Sequence, residues 1–133
     1  GIIIDTNVLI DVEHTRKKWE DISERFVEYG EAFISSITAS ELLIGVERLR
    51  GKEAMKCATF VEKILENIPV LGFSLPEARV YARVWMVFLR KKSSGPGAHD
   101  LQIAATAIAN GMPLLTSNVK DFKKIPGLEL LQV

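Results

Sequence analysis

The 133-residue chain is short of several things, and each shortage excludes a class of protein. It has one cysteine, Cys57, so no disulfide framework can form within it. That suits a reducing, cytoplasmic compartment. No apolar run approaches the length of a membrane span, and no basic region precedes a signal core. Charge of either sign is not in excess: 17 Lys and Arg balance 17 Asp and Glu, and the pI is near 6.9. The non-specific polyanion binding of a strongly basic protein is therefore excluded. A nucleic acid would have to be attracted locally or through a bound cation. A phosphate-binding Walker loop and a dinucleotide glycine fingerprint are both missing. Gly95-Pro-Gly97 only punctuates a loop.

What is present suits one compact domain over residues 1–133, since 47% of the residues are hydrophobic. Ile2–Ile4 is a short apolar run of the kind that forms a buried parallel strand. Further strands are expected at Ala32–Ser35, Ile68–Leu71, Met112–Thr116 and Leu128–Leu131. Between them the spacing predicts helices. One or two turns cover Thr6–Val12, and a helix covers Lys17–Tyr29, stopped by Gly30. Others run from Thr38 to about Arg50, stopped by Gly51, and from Glu53 to Glu66. The helix after Ser74-Leu-Pro-Glu77 continues to about Lys91, His99–Asn110 stops at Gly111, and Asn118–Lys124 is short. Strands alternating with helices predict an α/β protein: a three-layer α/β/α sandwich around a mainly parallel sheet.

Ligands of such sheets bind beyond the carboxyl ends of the strands. Asp5 stands at one such end and Thr116-Ser117-Asn118 at another, while Glu41 and Asp100 lie early in helices. Each has a plainer reading. Asp5 can cap the next helix, and Asn118 can be an N-cap or turn residue. Thr38-Ala-Ser-Glu41 fits a capping box, and Asp100 is favoured by the helix macrodipole. Asp121 alone would be a solvated helix position. Their conjunction argues otherwise. Two carboxylates ~5 Å apart at an effective dielectric of ~20 repel by roughly 3 kcal/mol. Such a group protonates or binds a cation. Oxygen donors without Cys or His favour Mg²⁺ or Mn²⁺ and chemistry at phosphate.

Four segments, in order, then carry a resemblance: IIIDTNVLID, ITASELLIGVERL, HDLQIAATAIANG and LLTSNVKDFKKIPGLEL. Together they span nearly the whole chain, which resembles the PIN domain family and, within it, the VapC-type toxin ribonucleases. The resemblance implies a Mg²⁺- or Mn²⁺-dependent endoribonuclease, the toxin of a toxin–antitoxin pair. By matching positions, Asp5, Glu41 and Asp100 take the family's acidic metal-site places. Asn118 takes the fourth, where many relatives carry Asp and a good number carry Asn, and Asp121 lies one turn on. Thr6 and Thr116 match hydroxyls that orient the carboxylates. A homodimer and a small antitoxin partner are also implied. The alternatives are a free-standing RNA-processing nuclease or a catalytically weak PIN-like module that binds RNA or protein. A phosphohydrolase with a nucleophilic aspartate would want a carboxylate where Asn7 stands, and a receiver domain would want an acidic pair near the N-terminus.

The remaining features carry less. Arg16-Lys17-Lys18, Arg90-Lys91-Lys92 and Lys120/Lys123/Lys124 read as solvated basic faces, the last being the best placed for RNA phosphates. His99 reads as a helix-start residue facing water, and His14 and Cys57 carry no functional claim. Val80–Leu89 is apolar on more than one face, which is expected either of a homodimer interface or of a helix buried on both sides.

Overall fold

The computed structural model describes residues 1–90 and 96–133. Lys91 and Lys92 of one basic cluster, and Ser93–Gly95 of the expected loop, lie outside them. The chain runs β1 (Ile2–Ile4), α1 (Thr6–Glu13), α2 (Trp19–Glu24), a 3₁₀ turn (Val27–Tyr29), β2 (Ala32–Ser35), α3 (Ser36–Glu47) and α4 (Gly51–Asn67). It continues through β3 (Val70–Leu71), α5 (Leu75–Arg90), α6 (Ala98–Ala109), β4 (Leu114–Thr116), α7 (Val119–Phe122) and β5 (Leu130–Gln132). The strands form one sheet in the order β3-β2-β1-β4-β5. Every pairing among them is parallel. The three-layer α/β/α expectation holds, and the sheet is more uniformly parallel than expected.

The alternation of side chains along a strand divides the isoleucine run between two cores. Ile2 and Ile4 join Val8, Leu9, Leu42, Val61 and Leu115 on the side of α1 to α4. Ile3 joins Val84, Leu101, Ile103, Leu114 and Phe122 on the side of α5 to α7. All three isoleucines are fully buried. A strand covered on both faces has no polar side, which is why β1 reads as an unbroken apolar run.

β1 is the central strand, and the order reverses beside it: the chain builds outward to β3, then crosses to β4 and β5. The β1/β4 boundary is therefore the switch point of the sheet, where a crevice opens at the carboxyl ends. Asp5 follows β1 directly, and Thr116 ends β4.

Several expected boundaries move. The expected Lys17–Tyr29 helix is broken after Glu24, where Arg25 and Phe26 bond back to Ile22 and Ser23 in the tighter i−3 pattern. Phe26 leaves the helical range (φ −122°) and packs edge-on against Trp19, with ring centroids 6.0 Å apart. Strands expected from Ile68 and Met112 begin only after Pro69 and Pro113, which lack the N–H that ladder pairing requires. Their carbonyls still accept from Ile34 and Ile3. β5 starts two residues later than expected, beyond a turn at Gly127 (φ +82°). Gly111 does stop α6: it adopts φ +65°, and Met112 N–H returns to the Ala107 carbonyl in a Schellman arrangement.

One correction bears on function. α3 begins at Ser36 rather than Thr38 and ends at Glu47 rather than Arg50. Its cap is Ser35, whose hydroxyl accepts from Thr38 N–H at 3.0 Å. Glu41 therefore lies a full turn beyond any capping-box position, and its carboxylate is not occupied in holding the helix end. A capping box does occur at α5, where Glu77 accepts from both the N–H and the hydroxyl of Ser74. Ser35→Ala should accordingly lower stability by about 1 kcal/mol or more, as measured by urea unfolding. Glu41→Ala, which unlike a glutamine substitution could not serve a capping box, should cost less than Ser35→Ala, and a larger loss would restore the capping-box arrangement.

Candidate functional site

Asp5 sits at the N-cap of α1 but makes no side-chain cap hydrogen bond there, so its capping reading fails. Instead Thr116 donates to Oδ2 across the β1/β4 boundary at 2.7 Å. The same threonine oxygen accepts the N–H of Asn118 at 2.9 Å. With its oxygen engaged by Asn118, the Thr116 hydroxyl hydrogen is directed at Asp5. Asp5 is only 2% exposed, and burial lifts its pKa from 3.8 to about 6. The Thr116 bond and the Thr6 N–H pull it down, while Asp100 and Glu41 push it up.

Glu41 is held by the neighbouring segment. Thr6 lies 2.8 Å from Oε1, and a carboxylate can only accept, so the Thr6 hydroxyl donates to it. Thr6 has a second contact, 2.9 Å to Thr38 Oγ1, and Thr38 lies 3.3 Å from Ser35 Oγ. Because the single Thr6 hydrogen goes to Glu41, Thr38 must donate to Thr6. Ser35 in turn donates to Thr38. The result is a directed row of hydroxyls, Ser35 to Thr38 to Thr6 to Glu41, with Ser35 and Thr38 fully buried. The other oxygen of Glu41 lies 3.7 Å from His99 Nδ1. His99 is exposed as expected, but it faces the acidic edge rather than open water alone.

Asp100, in the first turn of α6, is also raised, by burial first and then by Glu41 and Asp121. The Gly97 backbone and His99 act in the opposite sense. Asp121 lies one turn past Asn118 on α7, and the Asn118 amide donates to its Oδ2 at 3.2 Å. Asn118 therefore does not cap α7 with its side chain. It neutralises part of the charge of Asp121 and leaves its own carbonyl oxygen available.

The five expected residues, Asp5, Glu41, Asp100, Asn118 and Asp121, thus come to one edge from β1, α3, α6 and α7. Ser35, Thr38 and the contact of His99 with Glu41 were not anticipated. Ser35 carries a legible signal, a hydroxyl ending an apolar strand three residues before another hydroxyl. His99 carries none, because its partner is 58 positions away in the chain. Among the described residues, no three Asp, Glu, His or Cys side chains close into a ready-made metal cage. The carboxylates share the edge and repel. Their donors are all hard oxygens, and His99 Nδ1 stands 3.7 Å from Glu41. That set fits a hard divalent cation, with Asp5, Glu41 and Asp100 as the residues to hold it.

The raised Asp5 sets a pH dependence. Its folded pKa exceeds its unfolded value, so its stabilising contribution is complete below about 3.8 and is lost as pH rises through about 6. Above that, ionised Asp5 costs roughly 3 kcal/mol. In EDTA, Asp5→Asn should be more stable than the parent by up to that amount at pH 7.5, and no more stable at pH 4. Thermal melts across this range check it, and a pH-independent difference would contradict it.

The PIN domain family model matches residues 2–128. Ribonuclease VapC1 of Rickettsia felis is 43% identical, over the whole of this chain and 96% of that protein. The tRNA(fMet)-specific endonuclease VapC of Salmonella typhimurium is 30% identical, over 96% and 94% of the two chains. A crystal structure of VapBC2 from Rickettsia felis, bound to a DNA fragment from its promoter, superposes with a TM-score of 0.88 at 26% identity. It covers 99% of this chain and 98% of that one. VapBC from Salmonella typhimurium, also bound to DNA, gives 0.86 at 27% identity, over 99% and 97%. With the family model matched over nearly its whole length and the fold shared with the solved VapBC structures, the chain belongs to the PIN domain family, among the VapC proteins.

Proposed function

We propose that this protein is the endoribonuclease toxin of a toxin–antitoxin pair, and that it hydrolyses RNA phosphodiesters with Mg²⁺ or Mn²⁺ held by Asp5, Glu41 and Asp100. The observation that carries the reading is the meeting of carboxylates from separate segments at the switch point, one of them buried and raised to about 6. Such a site is costly to fold and is relieved by a divalent cation. When bound there, such a cation would supply acidification of a water and would offset charge developing at phosphorus.

The protein's own part is positioning and proton handling. Thr116 fixes the plane of Asp5 from a neighbouring strand, and Thr6 fixes Oε1 of Glu41. Oε2 of Glu41, which Thr6 leaves unbonded and which lies 3.7 Å from His99 Nδ1, would take the proton released as water adds to phosphorus. One P–O ester bond breaks, and the leaving oxygen takes up a proton. Asn118 supplies a neutral oxygen where an aspartate would add a further charge. Asp121, tethered to Asn118, supplies charge from one turn away. The VapBC assemblies among the structural relatives support a protein antitoxin as partner. Among the described residues, no helix is long and apolar enough to cross a membrane.

α5 supports a homodimer. Val80 and Val84 pack inward beside α6, whereas Trp85 and Met86 are 41% and 43% exposed. The helix is therefore not buried on both sides, and its apolar surplus faces out.

Two outcomes follow. Purified protein should cleave RNA with Mg²⁺ or Mn²⁺ and stop in EDTA. Asp100→Asn should reduce the rate roughly a hundredfold or more, on the scale of several kcal/mol of lost charge stabilisation. Full activity of Asp100→Asn in a gel cleavage assay would remove it from the mechanism. Light scattering at micromolar concentration should return twice the chain mass, and Trp85→Glu should reduce it to one. A monomer in the unmodified protein would retire the dimer.

A further inference from the structure

The loop between α1 and α2 is unusually constrained for a basic surface turn. Thr15 adopts φ +57°, a region that β-branched residues rarely enter. The turn is closed on Asp11, whose carbonyl accepts the N–H groups of both Arg16 and Lys17 at 2.9 and 3.2 Å. The Asp11 carboxylate also pairs with both side chains, at 3.5 and 3.8 Å. One acidic residue thus grips two cations by main chain and side chain together. Lys18 and Arg25 make no ion pair with it.

These cations line one cavity of about 360 Å³, with Asp21 as the acidic side chain in its wall. Lys18, Asp21, Ile22 and Arg25 follow one helical stripe, at i, i+3, i+4 and i+7. Glu24 lies off that stripe and lines a different hollow, beside Phe26 and Val27. The cavity therefore carries an excess of positive charge on a chain of zero net charge.

Its place in the fold gives that charge a use. Val133 forms part of the wall, and its N–H bonds to the carbonyl of Thr116, the residue that orients Asp5. The cavity opens beside the carboxyl end of β5, two strands from β1. At ~4.8 Å per strand, the Val133 side of the cavity lies roughly 10 Å from β1 across the sheet, within the span of a few nucleotides of single-stranded RNA. An edge of four carboxylates repels a polyanion, so a nearby cationic anchor offsets a cost that the edge itself creates.

We propose that the Arg16–Arg25 cavity is a subsite for a backbone phosphate of the RNA, next to the cleavage site, with Lys18 and Arg25 as its principal contacts. This rests on the ribonuclease reading. Phosphate contacts of this kind position the strand without reading its sequence. An acidic peptide is the competing ligand class. The shared sheet edge favours RNA, because only the substrate has to lie across both charges at once.

The test uses fluorescein-labelled oligouridylate and polarisation in an Asp100→Asn background, which prevents cutting. Adding Lys18→Ala and Arg25→Ala should weaken binding roughly tenfold and reduce the slope of log K against log salt by about 1.4, the loss of two phosphate contacts on a single strand. Lys56→Ala on α4 should change neither, and circular dichroism melts confirm that each variant is folded. Unchanged affinity and slope in the double variant would overturn the subsite. Retained oligouridylate binding with lost binding of poly-glutamate would also overturn it, and would assign the cavity to an acidic peptide. If the parent protein neither cuts nor binds RNA, the ribonuclease reading falls first and the subsite with it.

Discussion

The bond from Thr116 to Asp5 joins the ends of two parallel strands at the point where the sheet reverses its order. Much of the site follows from it. A carboxylate that is 2% exposed has few ways to stay in place. It can protonate, pair with a cation or be held by hydrogen bonds, and here a neutral hydroxyl holds it. The hydroxyl fixes orientation without cancelling charge. An arginine in that position would have stabilised the fold and removed the site's capacity to attract a divalent cation.

Orientation of this kind needs a rigid base. The β1 isoleucines supply it by filling two cores at once, so that neither helical layer can shift without disturbing the strand that carries Asp5. The same economy governs Glu41. It is a full turn into α3, where the helix end makes no use of it, and it is steadied through Thr6 by hydroxyls from the α3 cap. Ser35 therefore has two roles, heading a row of donors and starting a helix. Every buried side-chain polar atom among the described residues has a partner. The remaining electrostatic strain is confined to the acidic edge itself.

The two basic and acidic regions of the carboxyl edge divide the work of handling a polyanion. On the proposed reading, the carboxylates would hold the cation that acts on one phosphate, and the α1–α2 loop would offer charge for another. The zero net charge of the chain makes this local arrangement necessary, since no general field draws the substrate in.

The amino-acid sequence by itself determined the alternation of strands and helices, because apolar runs and glycine or proline stops are local signals. It also determined the candidate acids, since Asp5 ends the only triple-isoleucine run and Asp100 opens a small-residue helix. Tertiary structure alone decided where α3 begins and hence that Glu41 is free of capping. The Ser35 and Thr38 hydroxyls are both candidates for the same helix end, and the fold places Ser35 there, with the Thr38 N–H bonded to it. It likewise decided that the Lys17–Tyr29 helix breaks after Glu24, where Phe26 packs on Trp19, although the sequence presents the helical pattern as continuous. The partnership of His99 with Glu41, and of Val133 with a basic loop more than a hundred residues earlier, has no local trace at all. Contacts between distant segments are set by sheet order, and sheet order emerges only when both cores are filled together.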